Sequence, residues 1–505
     1  MDTFDTLLKQ TKEIGHVVGV SGTIVLVDGL PGAHIDEMIL FETGETGSVN
    51  TLGKETVSVI VFSRDPIKIG TRVARSGKEI MVPVGDHLLG ATIDALGNEY
   101  SSTSKKKTMS EERPIFTDPP GIYTRRKITR QMDTGVALID SLIPIGFGQR
   151  ELVIGDRKTG KTQILLSLME TQAKAGTICI YGAIGKRKSE IKLIEAFLKE
   201  RGIRNQSIIV FASSFAPPGK IFIAPFTAMM LAEYFNAKGK DVLLILDDLT
   251  THARYYRELS LLSKRFPGRD SYPGDIFHIH AKLLERAGNF IRNTKESAIT
   301  AFPVAETVGS DMTGYIQTNL MSMTDGHISC DSDLFFRGMR PAINPFVSVT
   351  RVGRQTQTPL GRDIAGMIVK MLSGYEKALS FVRFGADVSE ELKRTLSVGE
   401  ALWQVFSQTP GELLPKSLQY GLIASAYGER WGKATKNLLV NSYYSDPKYQ
   451  KKIVDAVSQS KTFLELVEKV SGDKETKQLS TNSESARKNS EKSEHSENSE
   501  HQKVR

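Results

Sequence analysis

The fold class follows from one short stretch of the sequence, Gly155-Asp156-Arg157-Lys158-Thr159-Gly160-Lys161-Thr162. It fits the pattern G-x-x-x-x-G-K-[ST], in which a glycine-rich loop turns its backbone N–H groups toward phosphate oxygens. Lys161 would reach the β- and γ-phosphates of a nucleotide, and Thr162 would offer its hydroxyl to Mg²⁺. Residues 151–154 read as a buried strand and residues 163–169 as a helix, which places a helix N-terminus under an anion. The alternative, an ordinary Gly/Lys turn, does not account for these flanks.

A second stretch, residues 241–248, supplies an acidic partner for this loop. It reads Asp-Val-Leu-Leu-Ile-Leu-Asp-Asp, a continuous apolar run of the kind found in central parallel strands. Asp247 lies at the carboxyl end of the predicted strand and is placed to hold the hydration shell of Mg²⁺ through water. The alternative is a buried strand followed by an acidic turn.

Composition excludes several classes of protein. No window approaches a membrane span of 18 uncharged apolar residues, and residues 1–5 lack the basic start and apolar block of a secretion signal. Cys179 and Cys330 are the only two cysteines, which argues against a disulfide scaffold and suits a reducing cytoplasm. The net charge of +8 is modest for this length, and no basic run is interleaved with aromatics, so nucleic-acid binding is not indicated.

The chain of 505 residues is too long for one core. Residues 1–14 form a short leading segment, and the β-branched runs of residues 15–77, punctuated by Gly and Asp, predict a small antiparallel barrel. In residues 78–357 apolar strands alternate with helices, which predicts a P-loop nucleotide-binding domain with a parallel sheet. Residues 358–471 predict a helical bundle, and the Ser/Glu/Lys-rich residues 472–505 predict a disordered tail. The predicted fold class is therefore multidomain α/β.

Longer blocks of the sequence resemble the α subunit of F-type ATP synthases, in matching order and spacing from about residue 15 to residue 420. The blocks are residues 144–157, 265–275, 283–286, 315–319, 324–326, 340–344 and 348–353. In that family three α and three β subunits alternate in a ring around the rotating γ subunit. The β sites turn over ATP, and the α sites hold nucleotide without hydrolysing it.

The resemblance implies ligands, partners and a location. It implies ATP or ADP with Mg²⁺ as ligands, the β subunit and the central-shaft γ subunit as partners, and no nucleic acid. It also implies a cytoplasmic location at the periphery of the membrane, with the chain attached to the membrane only through the complex. Because the segment before the barrel is short, the δ-subunit contact of the peripheral stalk is not implied.

The resemblance also assigns site residues. Residues 155–162 would cradle the phosphates, and Arg340, Pro341 and Gln408 match positions that line the family's adenine pocket. The alternative for these last three is packing at the boundary with the helical domain. Glu306 matches an acid beside the family's metal site, so it joins Thr162 and Asp247 as a predicted Mg²⁺ residue, unless it is a solvated loop acid.

Arg351 matches the α-subunit arginine that reaches across the interface into the neighbouring β site. A guanidinium in that place stabilises charge on the transferring phosphoryl group, the role of an arginine finger. The alternative is a structural arginine in an ordinary salt bridge.

Several positions depart from the family's pattern. Residues 182–188 resemble the box that carries Glu in β and usually Gln in α, but Lys186 takes that position here. A lysine ammonium cannot accept a proton from water at neutral pH without a large depression of its pKa, so the site is predicted to be non-catalytic. Lys158 stands where Gln is usual, and the Gln expected after Gln408 is Thr409.

Two functions remain open at this point. The first is a non-catalytic, regulatory α subunit of a proton-linked F-type ATP synthase. The second is an α-like subunit of a specialised rotary ATPase that is not coupled to proton translocation, suggested by the short leading segment and the unusual tail. An RNA-translocating hexameric helicase would need stacking aromatics in its barrel, which reads Val/Ile/Gly-rich. A stand-alone ATPase would need the missing water-positioning Glu.

Overall fold

The computed structural model describes residues 4–101, 111–292, 295–383, 389–428, 431–432 and 435–471. The chain divides into two compact units. The first comprises Met1–Thr134 and Ile143–Thr356, and the second comprises Gly135–Leu142 and Gln357–Arg505. The tail of residues 472–505, predicted to be disordered, lies outside the described residues.

A closed antiparallel barrel begins the first unit, after helix α1 (Phe4–Thr11). Its strands are β1 (Gly15–Ser21), β2 (Ile24–Asp28), β3 (Glu37–Phe41), β4 (Thr46–Leu52), β5 (Val57–Val61) and β6 (Arg72–Glu79), paired in the order β1-β2-β5-β4-β3-β6. The buried side chains of Val27, Ile39, Phe41, Val49 and Val59 fill its interior. Closure leaves no unpaired edge among the six strands, and the predicted barrel is confirmed.

A mixed sheet of ten strands forms the core of the nucleotide-binding part. The strands after the barrel are β7 (Met81–Val84), β8 (Thr92–Ile93), β9 (Glu99–Ser101), β10 (Glu111–Pro114), β11 (Gln131–Met132), β12 (Ile145–Gly146), β13 (Glu151–Gly155), β14 (Ile178–Lys186), β15 (Ser207–Ser213), β16 (Val242–Asp247), β17 (Gly288–Arg292), β18 (Lys295–Glu306), β19 (Gly326–Cys330) and β20 (Val349–Thr350). Two small sheets pair β7 with β10 and β11 with β12. The large sheet has the order β20-β19-β13-β18-β16-β14-β15-β8-β9, with β17 beside β18.

The strands from β19 to β8 are parallel, as predicted, and β9, β17 and β20 add antiparallel pairs. Parallel strands run in one direction, so the carboxyl ends of β13, β14, β16 and β18 meet at one edge. Gly155, Lys186, Asp247 and Glu306 end these four strands. Ligands of open parallel sheets bind at this edge, where the strand order reverses.

Helices cover the sheet and form the second unit. After α1 they are α2 (Ala137–Leu142), α3 (Lys161–Lys174), α4 (Lys188–Glu200), α5 (Pro218–Ala237), α6 (Leu249–Leu262), α7 (Ile276–Leu284), α8 (Tyr315–Met323), α9 (Ser332–Phe336), α10 (Pro359–Arg383), α11 (Glu390–Phe406), α12 (Lys416–Gly428), α13 (Thr435–Ser445), α14 (Pro447–Gln459) and α15 (Phe463–Ser471). Helices α2 and α10 to α15 make up the second unit, which confirms the predicted helical region. Across the described residues, no helix is both long and apolar enough to cross a membrane.

Candidate functional site

The loop between β13 and α3 brings together the predicted phosphate-binding residues. Gly160 adopts the left-handed conformation, with φ of 91°, immediately before α3 begins at Lys161. The Nζ atom of Lys161 donates to the carbonyl oxygens of Gly155 at 2.7 Å and Asp156 at 2.6 Å. The lysine therefore curls back over the loop, and burial lowers its pKa. This is the arrangement of a cationic loop that can receive an anion.

Asp156 anchors the loop to its surroundings. Its carboxylate accepts hydrogen bonds from the Thr307 hydroxyl at 2.5 Å, the Ser310 backbone N–H at 3.0 Å and the Ser332 hydroxyl at 3.0 Å. Burial acts to raise the pKa of Asp156, but these hydrogen bonds outweigh it and lower the pKa. Asp156 thus ties the loop to the segment after β18 and to the start of α9.

The remaining loop residues differ in their exposure. Thr159 is buried, and its hydroxyl donates to the carbonyl oxygen of Asp156 at 2.8 Å. Arg157, Lys158 and Thr162 are exposed. Two cationic side chains and one hydroxyl therefore surround the open side of the loop.

Lys186 and Asp247 form an ion pair beside the loop. Lys186 Nζ lies 2.7 Å from Asp247 Oδ1 and 3.8 Å from Asp248 Oδ2. The Tyr181 hydroxyl donates to the other carboxylate oxygen of Asp247 at 2.5 Å. Burial acts to lower the pKa of Lys186, but Asp247 and Asp248 outweigh it and raise the pKa. Lys186 is consequently an ammonium group at neutral pH.

Asp248, at the same edge of the sheet, caps a helix. It precedes α6, and its Oδ1 atom accepts the backbone N–H of Thr251 at 2.6 Å, which caps the helix. Burial raises the pKa of Asp248 to about 6. The nearby ammonium of Lys186 acts in the opposite direction.

Glu306, at the end of β18, is also paired with cations. Its Oε2 atom lies 2.9 Å from Arg157 Nε and 3.9 Å from Arg254 Nη1. Within the described ranges, no group of three or more His, Cys, Asp and Glu side chains could hold a metal ion. Asp247 and Glu306 both lie at the predicted edge, but each carboxylate is held by positively charged side chains rather than presented free to a hydrated cation. As placed, these two acids do not fit a Mg²⁺ site.

Arg340 and Pro341 lie on the segment that follows α9. Arg340 Nη1 donates to the carbonyl oxygens of Phe335 and Met339, both at 2.7 Å, and its guanidinium stacks 3.6 Å from the Phe335 ring centre. Because Ser332 at the start of α9 binds Asp156, this segment is attached to the phosphate loop. Its role in holding adenine stays a prediction.

Gln408 belongs to the helical unit and is buried there. Its Nε2 atom donates to the carbonyl oxygens of Gly135 at 2.9 Å and Glu412 at 2.7 Å, and its Oε1 atom accepts from Ala137 N at 2.7 Å. The side chain thereby fixes residues 135–142 within that unit. Contact of Gln408 with adenine likewise stays a prediction.

Arg351 follows the short edge strand β20 and is exposed. Its backbone N–H donates to the Asp325 carbonyl oxygen at 2.9 Å, while Nη1 makes one long contact of 3.4 Å with the Thr324 carbonyl oxygen. Among the side chains that the structure describes, no carboxylate forms an ion pair with Arg351. The backbone is therefore held in place, while the guanidinium is exposed and makes one long hydrogen bond.

Sequence reasoning missed three partners in this site: Tyr181, Arg254 and Ser332. Tyr181 had a detectable signal, because it lies on β14 and neighbouring parallel strands share their carboxyl edge. The β14–β16 register aligns Ala183 with Asp247. Arg254 lies on α6 and Ser332 is the first residue of α9, and the approach of both helices to the site depends on tertiary packing.

Comparisons with known proteins identify the family of the chain. Residues 135–350 match the family "ATP synthase alpha/beta family, nucleotide-binding domain". The chain is 41% identical over 400 residues to ATP synthase subunit alpha 2 of Syntrophus aciditrophicus, covering 79% of this chain and 77% of that protein. It is 39% identical to ATP synthase subunit alpha of Lactobacillus delbrueckii subsp. bulgaricus, covering 79% of each chain. It is 37% identical over 455 residues to ATP synthase subunit alpha of Helicobacter pylori, covering 90% and 87%. The chain belongs to the ATP synthase α subunit family.

Proposed function

We propose that this chain is the nucleotide-holding, non-catalytic, regulatory α subunit of an F-type rotary ATP synthase or ATPase. It would alternate with β subunits in an α3β3 ring around a γ shaft, hold ATP or ADP, and reach the cytoplasmic face of the membrane through that complex. The observation that carries the proposal is the state of Lys186. A lysine in an ion pair with Asp247 offers no lone pair to an attacking water.

The isolated chain is expected to bind nucleotide but to hydrolyse it negligibly. Lys186 occupies the position of the water-positioning Glu, and its raised pKa keeps it protonated. The measurement is steady-state phosphate release by the purified, β-free chain with ATP and Mg²⁺. Turnover at tens per second, an ordinary enzyme rate, would mean that the site is catalytic after all.

Changing Lys161 to alanine is expected to weaken ATP binding to the full-length chain. A hydrogen bond to a charged group is worth roughly 1.5–3 kcal/mol, or about 10- to 150-fold in Kd. Isothermal titration of ATP into each variant measures the change.

Lys174→Ala is the matched control for Lys161→Ala, because Lys174 lies in the last turn of α3 and pairs with Glu170 at 2.6 Å. It should bind ATP like the unmodified chain. Equal affinity of the Lys161→Ala variant and this control would contradict the assignment of the loop.

Arg351 is the proposed arginine finger for the adjacent β site. Its exposed guanidinium has one weak main-chain contact, which supports this role over that of a structural ion pair. Coupling of the ring to proton translocation is a property of its other subunits. Identification of every subunit that co-purifies from the native host decides between a proton-linked synthase and a specialised ATPase that lacks the membrane ring.

A further inference from the structure

We propose that Lys186 serves as a built-in cation of the nucleotide site in place of Mg²⁺ at Asp247, so that this chain binds ATP or ADP without needing a divalent cation. The inference rests on the proposed function, because it presupposes that the loop of residues 155–162 holds a nucleotide.

The first step concerns the acceptors on Asp247. Lys186 Nζ lies 2.7 Å from Asp247 Oδ1, and the Tyr181 hydroxyl donates a hydrogen bond of 2.5 Å to Asp247 Oδ2. The carboxylate is only 4% exposed. Mg²⁺ keeps most of its water shell and needs acceptors in near-octahedral positions. Each carboxylate oxygen therefore already has a donor, and the burial of Asp247 restricts the approach of a hydrated ion to the lone pairs that remain.

The second step concerns charge. Lys186 places one positive charge beside Asp247, where a Mg²⁺ shell would otherwise be held. Its side chain is 20% exposed, so repulsion between the ammonium and an approaching divalent cation would be only partly screened. Displacing the lysine would also leave its charge partly buried without a partner, which is costly.

The third step concerns the other acids at this edge. Glu306 is paired with Arg157 at 2.9 Å, and Asp156 accepts hydrogen bonds from three residues. Asp248 is committed to capping α6. Asp156, Asp247, Asp248 and Glu306 are thus all held by partners within the protein. None of these four carboxylates is presented without a protein donor to a metal ion.

The fourth step concerns the phosphates. Without Mg²⁺, their charge must be met by the protein. The exposed side chain of Lys158 and the N-terminus of α3 are available for this. Lys161 keeps one of its three donors after its two bonds to loop carbonyl oxygens, and Lys186 keeps two after its bond to Asp247. The departures from the family at positions 158 and 186 both add positive charge to the same loop edge.

The test is isothermal titration of ATP into the full-length chain, once with excess Mg²⁺ and once with EDTA. For the unmodified chain, the two Kd values should agree within about threefold. For Lys186→Gln, which removes the charge, EDTA should weaken binding by about tenfold or more. Lys186→Met, which keeps the length of the side chain, should behave like Lys186→Gln.

Lys188→Gln is the matched control. Lys188 begins α4 and is exposed, with no contact to Asp247 among the described residues. It should behave like the unmodified chain in both buffers. Thermal unfolding of each variant shows whether it folds. If the Lys186 variants do not fold, the comparison of Kd with Mg²⁺ and with EDTA for the unmodified chain is the test by itself.

Two results would count against the inference, and they differ in what they overturn. Binding of ATP to the unmodified chain that weakens by more than about threefold in EDTA overturns the built-in cation but leaves the nucleotide site standing. Absence of binding in both buffers overturns the proposed function and this inference together.

Discussion

Replacement of Arg351 by alanine in the ring assembled with its β partner is expected to slow ATP hydrolysis by roughly 10³- to 10⁵-fold, the range seen for arginine fingers. Nucleotide should still bind the β sites, because their own phosphate loops hold it. The loss should therefore appear in kcat, since the finger acts on charge that develops during transfer. Single-turnover hydrolysis with β-site occupancy measured in parallel separates the two effects.

The surroundings of Arg351 within its own chain are compatible with this expectation. The backbone of Arg351 is fixed to Asp325, and its guanidinium has one long contact with a carbonyl oxygen. A side chain of this kind contributes little to the stability of its own chain. Arg351→Lys should rescue poorly, because a point charge cannot reproduce the planar fork of donors.

Arg354→Ala is the matched control for Arg351→Ala, since Arg354 is exposed in the next turn of the same segment. Its rate should stay near that of the unmodified ring. Hydrolysis by the Arg351→Ala ring within about threefold of the unmodified rate, far inside the range for a finger, would make Arg351 a structural residue.

The elements with strong local patterns could be predicted from sequence. Strands β15 and β16 are buried along their whole length, and β14 is buried from Ile178 to Ile184. Such runs are typical of parallel strands covered on both faces. Strand β4 reads Thr-Gly-Ser-Val-Asn-Thr-Leu, with little local β signal. It forms because β3 and β5 pair with it on either side, which is a non-local cause. Strand β20, with two residues, is too short to show any period.

The site was predictable where its residues are close in sequence. The loop of residues 155–162 is a local motif, and its fold follows from the spacing of Gly155 and Gly160. The pairing of Lys186 with Asp247 depends on β14 lying beside β16, although β15 comes between them in sequence. The strand order of the sheet is a global property, so sequence reasoning could recognise the unusual lysine but not its partner.

Gln408 is a second residue whose hydrogen-bond partners could not be predicted from sequence. Its predicted contact with adenine stays a prediction, while the three backbone groups that its amide binds inside the helical unit had no signal in the sequence. Sequence similarity transfers a position, whereas the hydrogen bonds of a buried amide depend on the backbone around it.

Removal of the buried Arg286 side chain is expected to lower the free energy of unfolding substantially. Arg286 is 1% exposed and binds Glu233 through two hydrogen bonds, Nε to Oε1 at 2.9 Å and Nη2 to Oε2 at 2.7 Å. Its Nη1 atom also donates to the Ile115 carbonyl oxygen at 2.8 Å. The side chain thus joins three segments: the end of α7, helix α5 and the residues after β10.

Arg286→Met keeps much of the side-chain volume but removes the positively charged partner of Glu233, which is itself only 13% exposed. The Thr117 hydroxyl, 3.4 Å from Glu233 Oε2, stays as a weak donor. Breaking a buried pair in this way costs roughly 3–5 kcal/mol, because an uncompensated charge remains. Urea unfolding of the full-length chain, followed by fluorescence, measures the loss. Lys282→Met is the control, since Lys282 on α7 pairs with Asp118 at the surface and such a pair is worth about 0–1 kcal/mol.

The double variant Arg286→Met with Glu233→Met distinguishes a buried charge from a loss of packing. If the uncompensated carboxylate causes the loss, removing it as well should recover part of the stability, because an apolar pair in a buried site is often neutral relative to the ion pair. A surface ion pair contributes less than about 1 kcal/mol to the free energy of unfolding. If the single variant loses no more than this, Glu233 is satisfied by water or another donor. In that case Arg286 does not hold the three segments together.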